Sequence, residues 1–456
     1  MTRSARFPLP RSLLLSLGAL ATLVLVQQQV LLQRPPRLRE LAIQPLRSGA
    51  AALDVRFSRP MRQTSIAAGS SLTPPLAHRW FGGDDAWRLL IEQPVPPEGM
   101  IRLGLAGTDR RGLALAPATW FWDPRPTLLA VVQREDGQQL QMQDRSGAWI
   151  PLTAELPGIF LVEPLGNGRG VAFVAADASG DQFVGLRWLE PRSLGADAAA
   201  IGSPEVGVLE RLTADGQLFA HVSSNLRGDL LVQAGRMEPG SDQLWLRRAD
   251  GRRDDLGLNR AGPVRLLPDG TGLVVPGYNG LELLALDGLK GESGRRQTLP
   301  GSRDLRAFCT GSGRALLVRH WPDYRRSVEL VIPGLPPRQV WLGDEAVMAV
   351  ACDNGGERLW VVLRDARPEA TDTLLQLDRD GTVVRRRSLG PWRLAPDSGL
   401  HFDPVGDQLL LTVIQGRRSP GRIARISGRT LDMTTDGSRS VVSAVWLPAA
   451  GRLDRF

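Results

Sequence analysis

A short pattern recurs through the last three quarters of the chain: an apolar run, a tight turn that contains glycine, and a second apolar run. Its clearest copy is residues 263–286, where Asp269 and Gly270 separate two apolar runs. Asp-Gly between such runs is a strong hairpin signal, because both residues tolerate a positive φ. The chain is therefore predicted to consist largely of antiparallel hairpins.

The spacing of these turns predicts how the hairpins assemble. Seven turn glycines follow one another at intervals of 43 to 54 residues. A repeat of about 40 to 50 residues that is built from hairpins is typical of β-propeller blades. We therefore expect residues 125–456 to form a seven-bladed β-propeller. The seven glycines are Gly168, Gly216, Gly270, Gly313, Gly356, Gly406 and Gly451.

The two ends of this region complement each other. Residues 128–132 are an apolar run with no inner strand before them, and residues 441–446 are an apolar run with almost no chain after them. We expect residues 441–446 to be the innermost strand of the blade that residues 127–153 complete. Such closure would leave no free sheet edge in the ring.

The turn at Pro268-Asp269-Gly270 carries a family resemblance. TolB-type and WD40-like propellers have a Pro-Asp-Gly turn in their blades, and the repeats of this chain resemble theirs. Only the blade around residue 270 keeps all three residues. The resemblance implies the propeller fold.

Residues 37–124 show short alternating strands that are separated by turn residues, as in an antiparallel sandwich. Three features follow one another there: Phe57-Ser58-x-Pro60-Met61, a strand with Trp87, and Asp109-x-x-Gly112-x-x-Leu115. This order resembles the bacterial Ig-like domains of surface-layer and envelope proteins, over most of residues 38–123. The resemblance implies an Ig-like β-sandwich that serves as a spacer or adhesive module, without catalysis. The predicted fold class is thus all-β throughout both domains.

The N-terminus has the composition of an export signal. Arg3, Arg6 and Arg11 precede residues 13–26, which contain no charge. Residues 12–32 are long enough to span a bilayer as a helix. We expect residues 1–36 to be an uncleaved signal anchor in the inner membrane, with a cleaved signal peptide as the alternative. Either reading places the bulk of the chain in the periplasm or outside the cell.

Charge and cysteine content exclude some classes of protein. The net charge of +8 is spread thinly along the chain, so no nucleic-acid partner is predicted. Cys309 and Cys352 are too few for a disulfide framework. They occupy matching places in consecutive repeats, and we expect them to be two small core residues instead of a disulfide.

The sequence contains no recognisable catalytic, cofactor or metal motif. The Asp-rich turns at residues 177–181 and 378–381 lack the distant bidentate Glu of a calcium loop. We therefore predict no catalytic residue, no metal and no cofactor.

The turns between the second and third strands of each blade are the candidate binding region. Both tyrosines of the chain fall there. Aromatic and Arg side chains on loops of a rigid scaffold are typical of recognition surfaces, although these loops could also be merely solvated. The predicted partner-binding residues are Tyr278, His320, Trp321, Tyr324 and Arg325.

The predicted function is an exported, membrane-anchored scaffold that binds a protein or polymer of the cell envelope through this loop region. An alternative is a propeller hydrolase or lyase that acts on envelope polysaccharide, with His320 and carboxylates such as Asp323 in catalysis. A third possibility is a polymer tether that works through the Ig-like domain.

Overall fold

The structure is a computed structural model that describes residues 11–45, 51–92, 99–190, 203–238, 240–258, 262–288, 296–367, 371–416 and 419–455. Two α-helices are present there, α1 (Arg11–Gln33) and α2 (Gln63–Gly69), and nearly all other regular structure is strand. Arg3 and Arg6 of the predicted export signal lie outside the described residues. None of the described helices is both long and apolar enough to cross a membrane, so the predicted anchor at residues 1–36 is not supported.

The N-terminal part of the chain forms a sandwich of two four-stranded antiparallel sheets. Alternation builds its core: in the second strand Leu53, Val55 and Phe57 are fully buried, while Arg56 between them is exposed. Leu103 and Trp120 of the opposite sheet join the same core. The strands are β1 (Leu38–Pro45), β2 (Ala51–Phe57), β3 (Ser71–Thr73), β4 (His78–Gly83), β5 (Ala86–Ile91), β6 (Ile101–Leu105) and β7 (Ala118–Trp122).

The remaining strands form seven antiparallel sheets of four strands, one of which has an extra short strand. They are the blades of a propeller, numbered here along the chain. Blade 1 contains β8 (Thr127–Gln133), β9 (Gln138–Gln143) and β10 (Trp149–Pro151); blade 2, β11 (Gly158–Pro164), β12 (Gly170–Ala176), β13 (Gln182–Glu190) and β14 (Glu205–Arg211); blade 3, β15 (Phe219–Ser224), β16 (Leu230–Gly235), β17 (Gln243–Arg247) and β18 (Arg253–Asp255).

Blades 4 to 7 repeat this arrangement, and a short 3₁₀ turn at Leu286–Gly288 precedes the outer strand of blade 4. Blade 4 contains β19 (Arg265–Leu266), β20 (Gly272–Gly277), β21 (Gly280–Ala285) and β22 (Arg296–Pro300); blade 5, β23 (Arg303–Cys309), β24 (Arg314–His320), β25 (Arg326–Val331) and β26 (Arg338–Gly343). Blade 6 contains β27 (Ala346–Cys352), β28 (Arg358–Arg364), β29 (Thr373–Asp378) and β30 (Val383–Ser388); blade 7, β31 (Arg393–Leu394), β32 (His401–Asp403), β33 (Gln408–Ile414), β34 (Arg422–Ser427) and β35 (Met433–Asp436).

The ring closes as the sequence predicts. Strand β36 (Val441–Leu447) pairs with β8, from Val441 opposite Val132 to Leu447 opposite Thr127, and is the innermost strand of blade 1. Its side chains contact both neighbouring blades, because Val441 packs with Leu410 of blade 7 and Leu447 packs with Phe173 of blade 2.

The predicted position in the inner hairpin turn of a blade is wrong for two of the seven glycines. Gly216 lies between blades 2 and 3, and the inner hairpin of blade 3 instead turns at Gly228, where Asn225 Oδ1 accepts the N–H of Arg227 at 3.0 Å. His221 accordingly lies on the innermost strand β15 and not in a turn. Gly451 is not a turn either. It begins β37 (Gly451–Arg455), which pairs with β7 of the sandwich.

The chain thus leaves the sandwich for the propeller and returns to it. Both connections lie on the propeller face that carries the turns between first and second strands, called here the sandwich face. In blade 2 a Cβ on Gly168 would overlap the carbonyl of Pro448 in the returning segment. In blade 1, Arg145 donates hydrogen bonds to the carbonyls of Arg125 at 2.6 Å and Pro126 at 3.1 Å in the outgoing segment. The opposite face, with the turns between second and third strands, is called the loop face.

Cys309 and Cys352 form a disulfide, so the prediction of two free core cysteines is wrong. Their Cα atoms are 5.6 Å apart, at the ends of the innermost strands β23 and β27. The spacing in sequence could not reveal this bond, because equivalent places in adjacent blades are neighbours only when the strand ends converge. The disulfide cross-links blades 5 and 6.

Candidate functional site

The predicted binding residues lie on the loop face, in turns of blades 4 and 5. Tyr278 and Asn279 form a two-residue turn between the paired Gly277 and Gly280. The Tyr278 side chain is fully exposed, at 104%. The carbonyl of Asn279 accepts the N–H of Gly301 at 3.0 Å, which ties the blade 4 turn to the start of blade 5.

The turn of blade 5 holds Tyr324 in a fixed orientation. Trp321 N–H donates to the Arg325 carbonyl and Tyr324 N–H donates to the Trp321 carbonyl, both at 3.0 Å. Tyr324 has φ of 67°, a conformation that is uncommon for residues other than glycine. Its side chain is 89% exposed. Local hydrogen bonds thus present the ring to solvent although its backbone conformation is unfavourable.

Trp321 supports this turn from beneath. Its indole N–H donates to Ser327 Oγ at 2.9 Å, and the guanidinium of Arg319 stacks 3.7 Å from its ring centroid. Ser327 is fully buried. Trp321 is therefore partly a structural residue, whereas the two tyrosines of the predicted set are almost fully exposed.

The charged members of the predicted set are paired. His320 Nε2 lies 2.9 Å from Asp304 Oδ2, and Arg306 contacts the same carboxylate at 3.2 Å. Arg325 Nε donates to Asp323 at 2.7 Å, and this hydrogen bond lowers the pKa of the Asp323 carboxyl. His320 and Asp323, the pair considered for a hydrolase or lyase, are therefore bound to different partners.

Sequence reasoning missed the basic cluster behind the turn. Arg303 donates to Glu329 at 2.7 Å, and Arg319 lies 3.6 Å from the other oxygen of the same carboxylate. Two guanidiniums thus share one buried carboxylate, which leaves a positive charge beside Trp321. The three residues come from three neighbouring strands of blade 5, β23, β24 and β25, so only the sheet register brings them together.

A channel of about 1980 Å³ runs between the innermost strands of the blades. Residues of β1 from Glu40 to Gln44, with Trp120 and Trp122, line its end on the sandwich face. The sandwich therefore lies across one mouth of the channel. The innermost strands carry many of the other lining residues, down to loop-face ends such as Arg303.

One ring of channel residues occupies equivalent positions in successive blades. Glu163 lies two residues before Leu165, whose carbonyl accepts the turn N–H of Gly168; Ser223 and Arg265 stand in the same relation to the turns of blades 3 and 4. The ring level is fixed by contacts between blades: Ser224 N–H donates to Glu163 Oε1 at 2.7 Å, and Leu266 N–H to Ser223 Oγ at 3.0 Å. The six members, all of which line the channel, are Glu163, Ser223, Arg265, Ala307, Ala351 and His401.

Burial in or next to the channel shifts the pKa of three titratable residues. Burial raises the pKa of Glu163, while Arg265 and the N–H of Ser224 oppose that shift. Burial lowers the pKa of His221, and Arg265 lowers it further. Burial also lowers the pKa of His401 to about 4, so its imidazole is neutral near pH 7. His401 thus contributes a neutral imidazole to the channel wall.

Replacing His401 with Gln is expected to flatten the dependence of stability on pH between pH 6.5 and 4. The unfolded imidazole binds its proton as the pH falls below about 6.5, but the folded one does so only near 4, so the folded state loses stability across this interval. Because His401 keeps part of its surface exposed, which weakens the effect, we expect a change in stability of about 1–3 kcal/mol. Urea unfolding of both proteins at the two pH values measures it, with His78→Gln in the sandwich as control. An unchanged pH dependence in His401→Gln would contradict the expectation.

No group of three or more His, Cys, Asp or Glu side chains in the described part of the chain is placed to hold a metal ion.

Comparison with known proteins yields only distant similarities in fold. No family model matches the chain, and no curated protein matches it. TolB from Acinetobacter baumannii is similar over 84% of each chain, with a TM-score of 0.41 and 11% identity. A structure of prolyl endopeptidases matches 78% of this chain and 48% of its own, with a TM-score of 0.47 and 13% identity. A Listeria monocytogenes protein matches 69% of this chain and 94% of its own, with a TM-score of 0.47 and 10% identity.

Proposed function

We propose that this chain is an exported interaction scaffold that binds a protein or polymer of the cell envelope through the loop face of blades 4 and 5. The observation that carries the proposal is the pair of exposed tyrosines on tightly held turns, Tyr278 and Tyr324. Tyr rings on rigid turns provide contact area at low entropic cost. Arg319, which lies over the Trp321 ring and is partly exposed, adds hydrogen-bond donors.

The placement of the sandwich supports the choice of face. The sandwich lies against the opposite face and is tied to it by two chain connections. A spacer role for this domain, which its resemblance to Ig-like domains suggests, would hold the loop face away from the point of attachment.

Export is supported by two independent observations. The basic and apolar N-terminal segment has the composition of an export signal. The disulfide between Cys309 and Cys352 is a bond that persists in oxidising compartments and is rare in the cytosol. We therefore propose an extracytoplasmic location, which in a cell with two membranes is the periplasm.

Replacing Tyr278 or Tyr324 with Ala is expected to weaken capture of the partner by about 1–3 kcal/mol each, as for interface hot spots. Both side chains are almost fully exposed, so melting should stay unchanged. Ala at position 324 meets the same positive φ as Tyr, so the substitution removes the ring without relieving the backbone. Trp321→Ala is a poorer probe because it leaves the buried Ser327 hydroxyl unpaired.

The measurement is capture of detergent-solubilised envelope fractions by the full chain, with and without protease treatment of the fraction. Protease sensitivity of capture identifies a protein partner, and resistance identifies a polymer. Phe81→Ala, an exposed aromatic on the sandwich, and Arg386→Ala, on the outer strand of blade 6, are the matched controls. Capture that is lost in the controls but retained in both tyrosine variants would overturn the assignment of the face.

A further inference from the structure

We propose that the propeller channel contains a binding site for a small carboxylate that also carries hydroxyl or ammonium groups. In this site Arg265 binds the carboxylate, and Glu163 and His401 accept hydrogen bonds from the donor groups. All three side chains line the channel at equivalent positions of their blades. The site is separate from the loop-face turns, and the inference does not depend on partner binding there.

Arg265 is the residue that indicates an anionic ligand. Within the described part of the chain, its guanidinium has no hydrogen bond and no ion pair, and it senses the Glu163 carboxylate only at longer range. A guanidinium is a fork of donors that matches a carboxylate with two parallel hydrogen bonds. An unpaired cation in an enclosed space is costly, and a bound carboxylate would remove that cost.

Glu163 and His401 define the other half of the ligand. One carboxylate oxygen of Glu163 is used by the N–H of Ser224. The second oxygen has no hydrogen-bond partner among the described residues, so it can accept from a ligand. The same holds for the imidazole of His401, whose neutral form offers an acceptor nitrogen. These acceptors select a ligand that carries donor groups beside its carboxylate.

The part of the wall between Arg265 and His401 leaves room for the ligand. Blades 5 and 6 present Ala307 and Ala351 at the positions that hold Glu163 and Arg265 in blades 2 and 4. Small residues facing polar ones produce a one-sided pocket within the channel.

Bulges shape the channel between this ring and the loop face. The innermost strands of blades 1, 2, 5 and 6 each have a register shift, which turns one extra side chain toward the lumen. Three of these residues are apolar, and Phe160 is 58% exposed although it lies inside the channel. The ligand would pass this apolar collar to reach the ring. The four residues at the shifts are Val442, Phe160, Arg306 and Met348.

The charges favour a carboxylate over a phosphate. Arg265 is the one cation of the ring, and the Glu163 carboxyl is near enough to interact with it. Beside one guanidinium and ionised Glu163, a doubly charged phosphate adds two negative charges and a carboxylate adds one, so the carboxylate meets the smaller repulsion.

The test is isothermal titration calorimetry of the full chain with D-glucuronate and D-gluconate, each compared with its uncharged counterpart, D-glucose or D-glucitol. Inorganic phosphate serves as the alternative anion. We expect at least one carboxylate to bind at millimolar or lower concentration and its counterpart to bind at least tenfold more weakly. Arg265→Gln should weaken that binding at least tenfold, while Arg386→Gln on an outer strand should leave it unchanged.

A second variant separates a loss of binding from a loss of folding. Ala307→Leu keeps every charge but fills space in the blade next to Arg265, and it should also weaken binding at least tenfold, with the melting temperature reporting its fold. The proposal is overturned if neither carboxylate binds, if the uncharged counterparts bind as tightly, or if phosphate binds more tightly than both carboxylates. It is also overturned if folded Arg265→Gln retains full affinity.

Discussion

A chain that ends at residue 440 is expected to lose cooperative folding, whereas one that ends at residue 450 should keep it. The first truncation removes β36, in which Val441, Ala444, Val445 and Leu447 are at least nine-tenths buried. Burial of one large aliphatic side chain stabilises by about 1.5–3 kcal/mol. Loss of three of them, together with the ladder to β8, rivals the roughly 5–15 kcal/mol of a whole domain.

The shorter deletion separates ring closure from the sandwich strand. Ending at residue 450 removes only β37, which is an edge strand paired with β7. Urea unfolding monitored by tryptophan fluorescence measures both truncations. Leu447→Asp in the full-length chain provides a third variant, because it buries a charge at the same closure without shortening the chain. If the chain ending at 440 unfolds at the same urea concentration as the full chain, β36 is not what closes the ring.

Seven blades could be counted from the sequence although two of the seven turns were misplaced. The Asp215-Gly216 turn has the chemistry of a hairpin, but the strand after it is an innermost strand, and the inner hairpin lies one strand later at Gly228. There Asn225 Oδ1 accepts the N–H groups of both Arg227 and Asp229, so a side chain organises the turn. The predicted number of blades is still correct, because one turn was expected for each blade. Blade 1 has no turn between its first and second strands, since its first strand is β36 from the end of the chain.

The closure strand and the sandwich strand illustrate what pattern can and cannot show. Residues 441–446 were predictable because residues 128–132 lacked an inner partner. The return of β37 to the sandwich was not, because five residues at the end of a chain carry no pattern that specifies β7 as their neighbour. Pairing across more than 300 residues is fixed by the fold and not by local propensity.

The candidate sites also contain some residues that could be predicted from the sequence and others that could not. Tyr278 and Tyr324 could be placed on turns from the sequence, because turn chemistry is local. The shared carboxylate of Arg303 and Arg319, and the ring of Glu163, Arg265 and His401, could not. Members of that ring are separated in sequence by whole blades, and their equivalence appears only when each strand is counted back from its turn.

The Cys309→Ala/Cys352→Ala double variant is expected to lose about 2–4 kcal/mol of stability relative to the oxidised protein. The bond closes a loop of 43 residues, for which the chain-entropy estimate is about 4 kcal/mol. Both side chains are at least nine-tenths buried between blades 5 and 6, so Ala at each site also loses some packing.

A reductant separates the two contributions. Wild-type protein unfolded in dithiothreitol should lose the loop-closure contribution, and the double variant should be insensitive to the reagent.

Alkylation tests where the disulfide forms. Protein recovered from the cell envelope and denatured in the presence of an alkylating agent, without reductant, should not be alkylated. Protein retained in the cytoplasm by removal of residues 1–36 and treated in the same way should be alkylated at both cysteines. Equal stability of oxidised, reduced and Ala-substituted protein would show that the bond does not constrain the ring. Free thiols in the envelope-derived protein would remove the chemical support for export, because an oxidising compartment is where a bond in this position forms and persists.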